Sequence, residues 1–261
     1  MPETCQKLAR NLKEGGRKKL RQPKHDRKVH DGPGSYETGA ACKDHGGKTR
    51  VCLAYPNTYR IGMSSLGLRL VYGMLNYRDD VVCERVFLPE PGAPPRIYTV
   101  ESQKIPSEFD IMAFSISYEN DFPNVVKILR ASGIPLYARD RASHYPLLIM
   151  GGPCAFMNPE PIADFFDVVV VAEAEAVLDG LMDMCREYGD RTALLAALAG
   201  VDGMYIPAQR AKTIKRRFLI DMDVPRRAEN LSQLMTPNTE FSAMYLVEAM
   251  RGCPWRCRFC A

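Results

Sequence analysis

DVVVVAEAEAVLDGL, residues 167–181, contains the pattern that decides the fold of this chain. Four consecutive valines form a short and wholly apolar run, and the residues after it repeat apolar side chains at helical spacing. A strand that is apolar on both faces is typical of a parallel sheet with helices on each side, because a solvated face would carry polar side chains. The stretch therefore predicts one strand–helix unit of an α/β domain.

The same alternation of strands and helices recurs upstream and downstream. Short apolar runs predict the strands, and amphipathic stretches predict the helices. The predicted strands are residues 50–55, 81–87, 110–116, 146–150 and 167–171, and the predicted helices are residues 64–77, 123–133, 173–188 and 192–198. Right-handed crossovers then give a doubly wound, mostly parallel sheet of the flavodoxin-like or Rossmann-like kind.

The segments that follow these strands form a candidate binding rim. Ligands of doubly wound sheets lie beyond the carboxyl ends of the strands, where such segments meet. The rim segments are residues 57–62, 115–120, 151–156 and 172–175.

Composition places the chain among globular proteins. Hydrophobic residues make up 46% and charged residues 25%, which excludes wholesale disorder and collagen-like repeats. No apolar stretch reaches about 18 residues, and the N-terminus lacks the apolar core of a secretory signal. The nine cysteines are an odd number and mostly scattered, which favours reduced thiols. We therefore expect a cytoplasmic protein that does not bind a membrane.

Positive charge is concentrated at the N-terminus. Residues 1–30 hold ten Lys or Arg against three Asp or Glu, although the whole chain carries only +4. Few aromatic or β-branched residues lie there, which favours a solvated, disordered tail over a nucleic-acid-binding segment. The expected divisions are a basic tail at 1–47, the α/β domain at 48–190, a helix and connector at 191–240, and a segment at 241–261 that starts with a strand at 241–249.

Three cysteines crowd into the last nine residues. Cys253, Cys257 and Cys260 have C-x3-C-x2-C spacing, and iron–sulfur clusters normally take four thiolates. A triad therefore leaves one iron open to a ligand from outside the protein. A structural zinc site needs a fourth protein ligand, and no histidine lies nearby. A zinc knuckle and a plain electron-transfer cluster stay open as alternatives. The nearby cations that would offset the negative charge of a cluster are Arg251, Arg256 and Arg258.

Residues 248–260, EAMRGCPWRCRFC, resemble the motif of the radical S-adenosylmethionine superfamily, in which this loop follows the first strand of a barrel. Pro254 and Phe259 fit the motif as well. The resemblance implies a 4Fe–4S cluster on the three cysteines, S-adenosylmethionine on the open iron and Phe259 near its adenine. It also implies an electron donor as partner, because the sulfonium would be cleaved reductively to a 5′-deoxyadenosyl radical.

Four upstream segments resemble a largely uncharacterised subfamily of these proteins, in which a cobalamin-binding-like domain precedes the barrel. The segments are YPNTYRIGMSSLGLRL, FDIMAFSISYENDFPNVV, LLIMGGPCAFMNPEPIADFFD and VVVVAEAEAVL. The resemblance covers roughly residues 50–190. It implies a fold of the cobalamin-binding-like kind, followed by a linker and the first strand of a truncated barrel.

The chain departs from the D-x-H-x-x-G pattern that holds cobalamin through a histidine. Asn57 and Tyr59 replace the aspartate and the histidine, and a phenol with a pKa near 10 is a poor ligand. Histidine-ligated cobalamin is therefore not expected. Relatives often show Gly-Glu-Gly-Glu after the fifth strand, where residues 172–175 read AEAE. The degenerate cobalamin-like rim comprises Asn57, Tyr59, Gly62, Ser115, Ser117, Gly151 and Gly152.

These patterns predict the N-terminal part of a radical S-adenosylmethionine iron–sulfur enzyme. The rest of its barrel would follow residue 261, so we expect the 261 residues to be inactive alone. The basic tail makes RNA or protein the substrate classes to consider. The alternative function is a non-catalytic binding module of the cobalamin type.

Overall fold

A computed structural model of the protein describes residues 36–92, 96–211, 213–219 and 234–253, together with Trp255, Cys257 and Arg258. The described residues form one six-stranded sheet with helices on both faces. The strands are β1 (Thr49–Thr58), β2 (Val81–Leu88), β3 (Ile111–Ser115), β4 (Leu147–Gly151), β5 (Val168–Val170) and β6 (Met204–Tyr205). The helices are α1 (Tyr59–Gly62), α2 (Leu66–Tyr77), α3 (Phe122–Ala131), α4 (Pro153–Met157), α5 (Ala174–Glu187) and α6 (Arg191–Leu198).

The strand order is β2-β1-β3-β4-β5-β6. Strands β1 to β5 pair in parallel, which confirms the mostly parallel α/β sheet, and β6 pairs antiparallel with β5. The connector assigned to residues 191–240 therefore contains a strand that the sequence does not predict. A two-residue strand has no periodicity to detect.

Alternate residues of each strand point to opposite faces, as the pleat requires. Leu53 and Ile149 pack in the layer that contains α2, α5 and α6, whereas Ala54 and Met150 pack in the layer that contains α3 and α4. All four side chains are buried. Burial on both faces explains why these strands are continuous apolar runs.

Side chains at the helix starts fix where two of the long helices begin. The Ser65 hydroxyl accepts a hydrogen bond from the backbone N–H of Leu68, so α2 begins at Leu66. The Asp190 carboxylate accepts one from Ala193 and starts α6. Each cap satisfies a backbone donor that has no partner inside its helix.

Residues 36–47 differ from the expectation of a disordered tail that extends to residue 47. Thr38 and Met235 exchange both backbone hydrogen bonds, with N···O distances of 2.9 and 3.0 Å. The backbone N–H of Ala41 donates to the Tyr72 hydroxyl at 2.9 Å. The contacts join residues far apart in sequence, which explains why local composition does not predict them. Residues 1–35 lie outside the described residues.

The strand predicted at residues 241–249 is not formed within the described chain. A strand needs a continuous hydrogen-bonding neighbour, and in this segment Val247 alone is assigned to a β-bridge, while Phe241 and Met244 are 49% and 58% exposed. Within the described residues the predicted strand is thus reduced to one bridge residue, Val247. Among the described helices, none has both the length and the apolar character needed to cross a bilayer.

Candidate functional site

The candidate site is the carboxyl edge of the sheet, where the parallel strands end. The chain runs outward from β1 to β2 in one direction and from β1 to β3 and β4 in the other. Such a reversal leaves a crevice between the two adjacent strand ends, in this case those of β1 and β3. The predicted rim residues all lie in or just after β1, β3 or β4.

Tyr59 is buried at this edge and does not face solvent. Its hydroxyl donates a hydrogen bond to the Glu37 carboxylate and lies 3.2 Å from the Thr236 hydroxyl oxygen. Its ring packs edge-to-face on Phe87, with 5.3 Å between the centroids. Burial, together with the charge of Glu37, raises the pKa of Tyr59 above its ordinary value. The phenol therefore stays protonated and is covered by two other parts of the chain.

The Glu37 carboxylate also belongs to a buried ion-pair network, which we call the Arg85 network (Glu37, Tyr59, Arg85 and Glu101). The Arg85 side chain has no exposed surface and donates from Nη1 to Glu37 at 2.8 Å and from Nε to Glu101 at 2.7 Å. Its backbone N–H donates to the second Glu101 oxygen at 2.7 Å. The sequence does not predict this network, because Glu37 lies 48 residues from Arg85.

Two rim glycines have structural reasons to be glycine. A Cβ atom on Gly62 would stand 2.3 Å from a ring carbon of Phe87. Gly152 has a φ of 90°, and a Cβ atom there would stand 2.6 Å from the carbonyl oxygen of Ile116. Gly62 is thus explained by close packing, and Gly152 by its backbone conformation and the nearby carbonyl oxygen.

Asn57 and Asp121 bridge the crevice between β1 and β3. The Asn57 amide donates to Oδ1 of Asp121 at 2.9 Å, and the Asn124 amide donates to the same oxygen at 3.2 Å. Oδ2 of Asp121 is buried and has no hydrogen-bond partner among the described residues. Burial raises the pKa of Asp121, and the two amide donors oppose the shift. The sequence does not single out Asp121, because it stands six residues after β3.

The remaining rim residues line the same edge from β3 to β4. Ser117 is half-buried and hydrogen-bonds the Tyr55 hydroxyl, and Ser115 pairs with Gly151 across the two strands. Cys154 is fully buried just after this edge, and burial raises the pKa of its thiol to about 11. A protonated, buried thiol is unreactive.

The AEAE turn after β5 holds the segment that carries the cysteines. Arg251 contacts Glu173 at 3.1 Å, Glu175 at 2.7 Å and Glu248 at 2.7 Å. The hydrogen bonds that Arg251 donates to Glu248 and Glu175 raise the pKa of Arg251. Neither alanine of the turn has a positive φ, so the turn carries no strain of that kind. Three carboxylates thus surround the single charge of Arg251, and its role in offsetting a cluster stays a prediction.

The structure describes two of the three predicted cluster ligands. Cys253 and Cys257 are exposed and form no disulfide, so both thiols are accessible to a metal. Cys260 and Phe259 lie outside the described residues, as does Arg256. Within the described part of the chain, no three His, Cys, Asp or Glu side chains come together to hold a metal ion. Accessible thiols at this spacing fit an iron–sulfur cluster by their donor chemistry.

The fold and the site define an α/β domain that holds a cysteine-bearing segment at its carboxyl edge. The model of the family described as “Radical SAM proteins, N-terminal” matches residues 67–207, more than half of the chain. The chain belongs to this family.

The chain is also similar to a protein of an archaeon. The chain is 30% identical over 213 residues to “Uncharacterized protein MJ0966” of Methanocaldococcus jannaschii. The alignment covers 80% of this chain and 40% of the relative, so the chain spans about two fifths of the length of that protein. No solved structure matches the chain.

Proposed function

We propose that the chain is the N-terminal part of a radical S-adenosylmethionine enzyme whose 4Fe–4S cluster is held by Cys253, Cys257 and Cys260. The observation that carries the proposal is the C-x3-C-x2-C loop downstream of a domain that belongs to the radical SAM N-terminal family. Membership of that family implies a 4Fe–4S cluster and S-adenosylmethionine in general. When bound, the cluster supplies the electron that cleaves S-adenosylmethionine.

The residues that lead to the cysteines are fastened across the carboxyl edge of the sheet. Arg69 is buried and donates from Nη1 to the backbone carbonyls of Leu234 and Met244, both at 3.2 Å. The Ser64 hydroxyl accepts from the backbone N–H of Glu240 at 2.9 Å. These contacts support an arrangement in which the cysteine loop stands over the edge where ligands of such sheets lie.

We assign residues 241–261 to the start of the barrel. The side chains of Phe241, Met244 and Val247 are exposed, which supports this assignment because they are available to pack against other parts of a barrel. In this assignment residues 48–190 form the sheet domain, residues 191–240 form the connector, and Phe259 lies near the adenine of S-adenosylmethionine. An electron donor and the rest of the barrel are the partners that turnover requires.

The sheet domain acts without histidine-ligated cobalamin in this proposal. The parallel strand order 2-1-3-4-5 supports a flavodoxin-like arrangement, which cobalamin-binding-like domains resemble. Tyr59 occupies the position of the ligating histidine, and its hydroxyl is committed to Glu37. We therefore expect equilibrium dialysis to retain no hydroxocobalamin, and retention would support the binding-module alternative.

Anaerobic reconstitution with iron and sulfide tests the proposed function. The expected product is brown, binds iron and sulfide in equal amounts, and loses most of that iron on Cys257→Ala substitution. Cys42→Ala is the matched control, because Cys42 is also exposed but lies outside the triad. A colourless product that contains zinc would contradict the proposal, as would equal iron loss in the two variants.

A further inference from the structure

We propose that Glu173, Glu175, Arg251 and Glu248 form a latch that fixes the cysteine loop on the carboxyl edge of the sheet, so that Glu173 and Glu175 are positioning residues of the iron–sulfur site. We call this group the Arg251 latch. The proposal rests on the proposed function for the identity of the site, whereas the latch itself rests on contacts between described residues.

The geometry of the latch joins two parts of the chain that are far apart in sequence. Nη2 of Arg251 lies 2.7 Å from Oε1 of Glu175, and Nη1 lies 3.1 Å from Oε2 of Glu173. Glu248 lies three residues before Arg251, so its contact stays within the cysteine segment. The two glutamates of the AEAE turn therefore supply the connection to the sheet domain.

The side chains of the Arg251 latch are partly buried, so its ion pairs differ from those of a fully exposed surface. The exposed fractions of the side chains are 23% for Arg251, 8% for Glu175 and 18% for Glu173. A guanidinium that contacts several carboxylates has a fixed orientation, because its donors lie in one rigid plane. Partial burial also weakens the screening that salt exerts on exposed pairs.

The latch stands next to the first cysteine. Gly252 alone separates Arg251 from Cys253, and two residues span at most about 7 Å. Gly252 has a φ of 87°, a conformation in which a side chain would be strained. A fixed Arg251 followed by this turn confines the start of the loop to a small volume beside the end of β5.

The turn after β5 thus attaches the cysteine segment to the sheet domain. Its two carboxylates lie at the edge where doubly wound sheets bind ligands, but both contact Arg251. Glu173 also accepts a hydrogen bond from the backbone N–H of Leu219 at 2.7 Å, so it holds the connector as well. Glu175 is therefore the cleaner residue to substitute.

Fluorescence anisotropy of Trp255 tests the latch without any iron. Trp255 is the sole tryptophan of the chain, is exposed, and lies four residues after Arg251. In Glu175→Gln we expect the amplitude of nanosecond motion of Trp255 to rise about two-fold, because the released segment moves independently of the domain. Arg251→Gln should give a similar rise, and the double variant should add little, because both changes break the same contact.

Two controls separate the latch from a general loss of structure. Glu187→Gln removes an exposed carboxylate at the far end of α5 and should leave the anisotropy unchanged. Arg251→Lys keeps the charge but not the planar donors, so it should restore only part of the wild-type anisotropy. The urea midpoint of the domain should be nearly the same in all of these variants.

Iron release tests the positioning role. In reconstituted protein we expect a chelator to remove iron several-fold faster from Glu175→Gln than from wild type or Glu187→Gln. If wild type binds iron but Glu175→Gln changes neither Trp255 motion nor iron release, the latch proposal fails and the proposed function stands. If wild type binds no iron, the proposed function and the positioning role both fail, whatever the anisotropy shows.

Discussion

Two arginines each hold a flanking segment on the same edge of the sheet, one fully buried and the other partly exposed. Arg85 joins β2 to Glu37 and has no exposed side-chain surface, whereas Arg251 joins the cysteine segment to the end of β5 with 23% of its side chain exposed. Each guanidinium contacts at least two carboxylates. The two networks therefore contain the same kind of ion pair and differ mainly in how far the arginine is buried.

The difference in burial predicts how much free energy each arginine contributes to holding its segment. Removing one partner of a buried ion pair leaves an uncompensated charge in a medium that solvates it poorly, at a cost of about 3–5 kcal/mol. Opening a partly exposed pair lets water replace the partner, and such pairs contribute about 1 kcal/mol or less. Breaking the Arg85 contacts in the β1–β2 half is therefore expected to cost more free energy than breaking the Arg251 contacts at the end of β5.

The largest expected effect is that of Arg85→Met. It removes the cation that Glu37 and Glu101 both contact inside the buried network, so we expect the free energy of unfolding to fall by about 3–5 kcal/mol. Urea denaturation of this variant and of Arg251→Gln gives the direct comparison, and the second variant should lose about 1 kcal/mol or less. If the two variants lost equal free energy of unfolding, the proposed difference between the buried and the partly exposed network would be contradicted.

The control for Arg85→Met neutralises the two carboxylates that Arg85 contacts. Adding Glu37→Gln and Glu101→Gln should recover part of the lost stability, because neutral amides tolerate burial better than unpaired carboxylates. No recovery would mean that the loss comes from packing of the Arg85 side chain, which lies over the Tyr72 ring at 4.7 Å.

A smaller effect is expected from Gly152→Ala in the β4 part of the edge. The substitution places a Cβ atom 2.6 Å from the carbonyl oxygen of Ile116 at a φ of 90°, so we expect a loss of about 1–3 kcal/mol. Gly133 also has a positive φ but has open space around its Cβ position. Gly133→Ala therefore measures the conformational cost alone, and an equal loss in both variants would contradict a role for the contact with Ile116.

The sequence predicts the parts of the fold that depend on local pattern. The parallel strands are mostly apolar because both faces of the sheet are buried, and β2 differs in that it also carries the buried Glu84 and Arg85. The two-residue β6 escapes prediction, as does the lack of an extended strand among the described residues 241–249, because strand formation there depends on a neighbour and not on composition.

The candidate site is predicted less completely than the fold. The rim positions follow from the strand ends, but what each side chain contacts there depends on distant residues. Tyr59 contacts Glu37 and Thr236, which are 22 and 177 residues away. Arg251 contacts Glu175 across 76 residues. The charge pattern offers a weak signal for the second contact, since a lone arginine precedes the first cysteine and two glutamates follow β5.

The smallest expected effect is that of Asp121→Asn, at the crevice between the two halves. An asparagine keeps the acceptor for Asn57 and Asn124 and removes a carboxylate whose Oδ2 has no partner among the described residues. We expect the variant to equal or exceed the wild-type free energy of unfolding at pH 7, by about 1 kcal/mol or less.

The difference in stability between Asp121→Asn and wild type should change with pH in a direction that the pKa of Asp121 predicts. Burial raises the pKa of Asp121 in the folded protein. Its stabilising contribution is therefore complete below the unfolded pKa of about 3.9 and is lost as the pH rises through the folded value. Urea midpoints measured between pH 4 and pH 7 should show any advantage of the variant shrinking on acidification. An advantage for wild type that grows toward pH 7 would instead mean that the ionised carboxylate is used at the crevice, and that the two halves of the edge are joined by a charge.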